Sequence, residues 1–265
     1  MGRPRNLGNL ATGANSSGVL QTSNGGTSAT TLTANNVLLG NGTASPSFVA
    51  PGANGNVLTS NGTSWISAVA AGGSIINVQY FTSPGSFTYT KTAGTNKIYC
   101  ICIGAGGGGF QYTNIGAPSG GAGGTAIKFI SNASAITTVA VVIGTGGGQN
   151  VNGGASSVAF SSGTITGGGG GYAGIGNYQG GASGTASGGD INLAGGAGCG
   201  TYFAGGNVYS GTTGGYPSMF GVGGGGGTYF TNGGNGTFGG GGGGAGYGAA
   251  VGTGGNGLVV FYEYG

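Results

Sequence analysis

The sequence predicts an all-β protein: a β-sandwich-like domain with an inserted polyglycine II helix lattice, preceded by a shaft of short-strand repeats. Three observations carry that expectation. Of 265 residues, 75 are glycine and only 3% are charged, against roughly 7% glycine and a quarter charged in an ordinary domain. No window carries a helical apolar stripe, and each glycine disfavours helix by about 1 kcal/mol relative to alanine. The bulky residues fall instead in short, strand-like runs that alternate with glycine stretches.

Composition removes several function classes. Five basic and two acidic residues leave a net charge of +3, too little for charge-driven disorder. The glycine runs break the strict three-residue period of collagen. Histidine is absent, which excludes a histidine-dependent hydrolase or zinc site, and no run approaches the roughly 20 apolar residues of a transmembrane segment. Asp190 and Glu263 are the only carboxylates, so no base-assisted catalysis is expected. Asp190 is expected to cap a turn, and Glu263 to be an edge-side charge that discourages stray strand pairing. The protein is expected not to be an enzyme and to use no cofactor. The run from Gly104 to Gly109 follows a strand, but no helix-forming segment or acidic residue follows it as a dinucleotide fingerprint requires. Arg3, Arg5, Lys91, Lys97 and Lys128 are scattered, so no nucleic-acid partner is expected. From the start, Met-Gly-Arg-Pro-Arg-Asn, no signal peptide is expected, and with Asn6 at the sixth position no myristoylation is expected.

Glycine divides the chain. Residues 1–73 hold 13 glycines, 74–103 hold two and 104–265 hold 60, so two domains are expected, 1–73 and 74–265. The first repeats one unit: Gly18-Val19-Leu20-Gln21-Thr22-Ser23-Asn24-Gly25, Asn36-Val37-Leu38-Leu39-Gly40-Asn41-Gly42 and Asn56-Val57-Leu58-Thr59-Ser60-Asn61-Gly62. Each reads as a short apolar strand followed by the Asn-Gly of a tight hairpin. Strands this short bury too little apolar surface to fold alone. The segment is therefore either an oligomeric shaft, with strands of several copies packed round one axis, or a loosely ordered linker.

The second domain opens on ordinary β signals. Residues 74–82 and 87–90 flank a Pro-Gly turn, and 97–103, with bulk on both faces, read as a central strand. Residues 125–130 and 137–143 are further strands. The closing run 258–264 is too apolar to be left unpaired, so it is expected beside 97–103. Cys100, Cys102 and Cys199 form an odd set and read as small buried hydrophobes, not as a disulfide framework or metal site.

The glycine runs must recover about 1–2 kcal/mol of backbone entropy per ordered residue without side chains. Extended left-handed helices with three residues per turn achieve this. Lacking Cβ atoms, they pack backbone to backbone and hydrogen-bond to their neighbours. Aromatic residues punctuate the runs, as a floppy linker would not require. Loops joining such helices would carry the exposed chemistry at one end. The candidate receptor-contacting residues there are Phe110, Tyr112, Tyr172, Tyr178, Tyr202, Phe203, Asn207, Tyr209, Tyr216 and Phe220, with 205–220 as the foremost tip loop. Rings for stacking and amides for hydroxyls suit either a carbohydrate or a protein surface.

The stretches Tyr80-Phe81-Thr82-Ser83-Pro84-Gly85-Ser86-Phe87-Thr88-Tyr89 and Asn96-Lys97-Ile98-Tyr99-Cys100-Ile101-Cys102-Ile103-Gly104-Ala105-Gly106-Gly107-Gly108-Gly109 resemble the opening of the glycine-rich domain of bacteriophage tail fibres and related virion proteins. The similarity continues through 120–124 and 141–147 and closes at 254–261. The upstream repeats at 31–42 and 55–65 are similar to those placed before that domain in tail fibres. The resemblance implies a tail fibre or adhesin component that is extracellular when mature. It would be homotrimeric through residues 1–73 and would contact other virion proteins and a host-cell surface glycan or outer-membrane protein. A virion decoration or collar protein that binds no receptor, or a bacterial extracellular surface protein, remains the alternative.

Overall fold

The computed structural model describes residues 14–69, 73–111, 117–174, 179–201, 211–217 and 219–265. The chain divides into two compact units, Met1–Ala71 and Gly72–Gly265. Among the described residues the secondary structure is all β, antiparallel throughout, apart from one 3-10 turn.

In the first unit β1 (Val37–Leu39) pairs with β2 (Ser47–Val49), and β3 (Asn56–Ser60) with β4 (Trp65–Val69). Asn61 builds the second hairpin loop. Its carboxamide oxygen accepts from the N–H of Thr63 (3.0 Å) and Ser64 (2.8 Å), while its own N–H donates to the Ser64 carbonyl. The loop spans four residues, longer than the tight turn expected. The first repeat departs from the pattern altogether. Val19 and Leu20 lead into a 3-10 turn, Thr22–Asn24, instead of a strand. The Asn15 carboxamide captures the N–H groups of Ser17 and Val19, and so bends the chain before a ladder can form. Leu38, Phe48, Leu58, Trp65 and Ile66 of the hairpins stay exposed.

The second unit holds two five-stranded sheets. One contains β6 (Gly85–Thr90), β9 (Thr138–Ile143), β10 (Ser156–Phe160), β11 (Gly163–Gly167) and β12 (Ala186–Ser187). The other, in spatial order, is β13 (Ile191–Leu193), β8 (Thr125–Ile130), β7 (Lys97–Ile103), β14 (Leu258–Tyr264) and β5 (Ile75–Phe81). The closing strand pairs with β7, as its hydrophobicity requires, and with β5 on its other side. One core joins the two sheets: Tyr89, Val141, Val158 and Ile165 from the first meet Ile98, Cys100, Val259 and Phe261 from the second. Tyr89 stacks on Phe261 with ring centroids 3.9 Å apart.

Between strands the glycine runs form extended threads that bond to one another through their backbones. The 104–110 thread shows the rule. Gly104, Gly107 and Phe110 donate to Gly124, Gly121 and Pro118; Ala105 and Gly108 to Gly154 and Val151; Gly106 and Gly109 to Gly255 and Gly252. Successive residues thus turn to three different neighbours and return to the first every third residue. The carbonyls of this thread accept from a further set, Gly147 and Asn150, Gly170 and Ala173, and Gly242. Every backbone N–H of the 104–110 thread is paired in this way, as interior ones must be.

Candidate functional site

Threads that leave a strand and come back must turn somewhere away from the sheets. The excursions 104–124, 144–155 and 168–185 fold back on themselves, and among the described residues hydrogen bonds tie their far ends together. The Asn150 N–H donates to the Gly109 carbonyl and the Ala173 N–H to the Gly108 carbonyl. The long excursion after β13 reaches the same end at 228–231 and 246–249. There the Gly246 N–H donates to the Thr231 carbonyl, the Ala117 N–H to the Ala245 carbonyl, and Gln111 Nε2 to the Ala249 carbonyl (3.2 Å). This is the free end of the glycine body. At the opposite end a Cβ placed on Gly239 would lie less than 3.0 Å from Ile103 and 3.7 Å from Pro217, so 217 and 239 lie against the sheet.

The residues singled out in the sequence fall into three groups. Tyr172 is exposed at the free end, and Phe110 is there too but buried. Tyr216 and Phe220 are exposed but belong to the sheet end. The 205–220 stretch is therefore not one tip. Gly211 donates to Gly227, Gly214 to Gly224 and Gly215 to Gly120, so its second half is a thread running from the free end back towards the sheets. Tyr112, Tyr178, Tyr202, Phe203, Asn207 and Tyr209 lie outside the described residues.

Three of the aromatic residues that punctuate the glycine runs, none of them among the candidate contacts, form a cluster at the free end. Tyr229 and Phe230 sit on one turn and Tyr247 on the next. Ring centroids are 4.2 Å apart for Tyr229–Phe230, 5.6 Å for Tyr229–Tyr247 and 5.7 Å for Phe230–Tyr247. Phe230 is 63% exposed and holds a left-handed backbone, φ +57°, which costs a non-glycine residue about 1–3 kcal/mol. The available signal was the pair Tyr229-Phe230 at the end of a glycine run, with Tyr247 at the end of the next.

The rim of the glycine body has its own device. Where no thread remains to accept a backbone N–H, an asparagine side chain does so. The carboxamide oxygens of Asn152, Asn232, Asn235 and Asn256 accept from the N–H groups of Tyr172 (2.9 Å), Ala250, Thr253 and Gly146 (each 3.0 Å). In the sequence these are Asn-Gly pairs, indistinguishable from turn signals.

Glu263, Tyr89, Cys100, Cys102 and Asp190 are tied into the fold. Glu263 is fully buried, not an edge charge, because β14 is paired on both sides. Its carboxylate accepts from Tyr89 Oη, the Thr92 N–H (2.9 Å), Thr92 Oγ1 (2.6 Å) and Gln79 Nε2 (3.4 Å). Burial pushes its pKa up, and these donors, Thr92 and Tyr89 foremost, outweigh it and hold the group below the ordinary carboxylate value. Burial, with the hydrogen bond to Glu263, raises the Tyr89 phenol well above its usual range. Cys100 and Cys102 are buried free thiols, and burial pushes Cys102 up to about 12, so neither is a reactive nucleophile. Cys199, expected inside, is exposed. Asp190 does not cap a turn; it pairs with Lys128 Nζ at 3.2 Å and accepts from the Phe129 N–H at 2.7 Å. Asn192 takes the turn role, exchanging hydrogen bonds with Gly189. Among the described residues there is no cluster of metal-ligating side chains, and no helix is long and apolar enough to cross a membrane.

Neither a protein-family model nor a curated protein sequence matches the chain. What the molecule does must therefore be read from its own geometry: a body of backbone-bonded threads that brings exposed aromatic turns together at one end.

Proposed function

We propose that this protein is a virion structural component, a tail fibre or adhesin subunit that attaches to the host-cell surface through the turns at the free end of its glycine body. The observation that carries the reading is the gathering of those turns. Asn150, Ala173 and the Thr231–Ala249 region come from three separate excursions and are tied to the 104–111 thread or to one another by backbone and amide hydrogen bonds. A rigid body ending in a cluster of short turns suits multivalent attachment, in which weak contacts on one particle add up. The strand-level resemblance to tail-fibre glycine-rich domains points the same way.

The finer architecture belongs to the same proposal. The two sheets form a β-sandwich, supported by their shared core. The threads form a polyglycine II lattice, supported by the three-residue alternation of partners that a packed left-handed helix with three residues per turn entails. Residues 1–73 form a homotrimeric shaft, supported by the exposed Leu38, Phe48, Leu58, Trp65 and Ile66 on short hairpins. Such apolar exposure is relieved when equivalent strands of other copies cover it.

A second reading, a decoration or collar protein that binds no receptor, is favoured by one observation. The outer face of the sheet containing β7 presents Ile75, Val78, Tyr80, Phe129 and Ile191, all exposed, as a surface fitted to a neighbouring protein would. Binding of the purified protein to susceptible cells tests the two. Binding supports the adhesin, and no binding by a protein that mass spectrometry finds in purified particles supports the decoration. Absence from the particles overturns both.

A further inference from the structure

We infer that Tyr229, Phe230 and Tyr247 form a stacking platform for a pyranose ring of a neutral glycan. The inference rests on the attachment reading for where the glycan comes from, though not for its chemistry. The three rings contact one another but leave Phe230 63% and Tyr229 51% exposed. A cluster that served only to plug the end of the threads would bury its rings. Phe230 also keeps φ +57° at a surface position where glycine or asparagine would fit without strain. Strain held at an exposed aromatic residue is the kind of outlier from which a functional role is inferred.

The surroundings select the ligand. Between Asp190 and Glu263 the chain has no charged residue. A nucleic acid, which stacks on aromatic rings but needs a cationic groove, is thereby disfavoured. So is any strongly charged sugar. In the sequence the rings are flanked by threonine, asparagine and glycine, none of them charged. Asn232, two residues from Phe230 and exposed, spends its carboxamide oxygen on the Ala250 N–H at 3.0 Å. That fixes the side chain and leaves its NH2 group to donate to a sugar hydroxyl. The hydroxyls of Thr228 and Thr231 are tied to each other. Flat rings plus one positioned amide match the apolar face and hydroxyl edge of a neutral pyranose.

The test uses the full chain with maltohexaose and N-acetylchitohexaose as probes, followed by saturation-transfer NMR and calorimetric titration. At least one probe is expected to bind with Kd of about 1 mM or tighter. Tyr229→Ala and Phe230→Gly should each weaken it about tenfold or more. Phe230→Gly also relieves the left-handed backbone, so its melting temperature should hold or rise while binding falls, which separates lost contact from lost fold. Trp65→Ala, an exposed aromatic in the other unit, should leave binding unchanged. Failure of both probes to bind, or binding that survives both platform variants, overturns the inference. Binding to cells stripped of polysaccharide that still depends on the platform also overturns it, in favour of a protein surface. Cell binding without probe binding leaves the attachment reading standing and the platform fallen. Platform-dependent probe binding without cell binding does the reverse.

Discussion

Glycine does opposite work in the two units. In the hairpin unit Gly42, Gly55 and Gly62 have φ of +61°, +90° and +89°, and a Cβ on any of them would meet nothing within 4 Å. There the residue is needed for its backbone angle, and space is free. In the thread 104–110 none of Gly106, Gly107 and Gly108 has a left-handed φ, yet a Cβ on each would lie less than 3.0 Å from a carbonyl of a different neighbour, Gly240, Gly171 and Gly148 in turn. Here the angle is open to any residue and the space is not. The first kind of glycine is replaceable by another residue tolerant of positive φ. The second is replaceable by nothing, because three neighbours close in on three sides.

The sharpest way to break that contrast is Gly107→Ala. A single methyl must displace the backbone of the 168–174 thread, and cores resist overpacking by a few kcal/mol. We expect a loss of about 3 kcal/mol or more, seen in calorimetry as a fall in Tm of roughly 10 °C for a unit of this size. An unchanged Tm would mean that the threads are not packed as the hydrogen bonds imply.

Glu263→Gln asks whether the threads depend on the sheets that launch them. All four of its partners donate to the carboxylate, so an amide NH2 in that place faces donors and leaves at least one unsatisfied. The cost should be about 2 kcal/mol. The pH dependence has a definite sign. Because the folded carboxyl is held below its ordinary value of 4.5, its contribution is present above that value and lost as pH falls through the lower, folded one. The wild type should therefore lose Tm below pH 4.5 more steeply than the variant. Hydrogen exchange at the same pH shows whether the glycine amides open together with β14 or outlast it.

These contrasts also mark what was legible in the sequence. Strands β5, β7, β8, β9 and β14 announce themselves through runs of bulky residues. The β10–β11 hairpin does not, because Ser156, Ser157, Ala159 and Thr164 dilute the alternation that buries Val158, Phe160 and Ile165. Composition tells that glycine dominates 104–257, but identical residues carry no register, so it cannot tell which thread bonds to which. That is why 205–220 read as one loop: nothing in Gly214-Gly215 announces a thread that continues, and so Tyr216 and Phe220 were expected at the wrong end. The rim asparagines were hidden for the same reason, since Asn-Gly means a turn in the first unit and a closed edge in the second.

Gly62 offers the gentler side of the comparison. Gly62→Ala should cost about 1 kcal/mol, the penalty of a left-handed backbone for an L-residue. Gly62→Asn should cost less, since asparagine adopts that region more readily. Faster exchange of the β3–β4 amides in the alanine variant than in the asparagine variant would support the conformational role. Equal effects of the two would refute it.

The smallest effect tests the rim. Asn235 closes one thread by accepting from the Thr253 N–H, while Gly236 beside it donates to the Thr253 carbonyl. In Asn235→Ala the backbone bond stays and the side-chain bond goes. Because Asn235 is exposed, water replaces the lost acceptor, and the net cost should be about 0.5–1 kcal/mol. The amide of Thr253 should exchange faster, and Gly255, whose N–H donates to Gly240 within the body, should not. If both speed up together, the asparagines hold the threads in place and do more than satisfy their outermost donors. The glycine body would then depend on side chains at its edge as the hairpin unit depends on Asn61 at its loop.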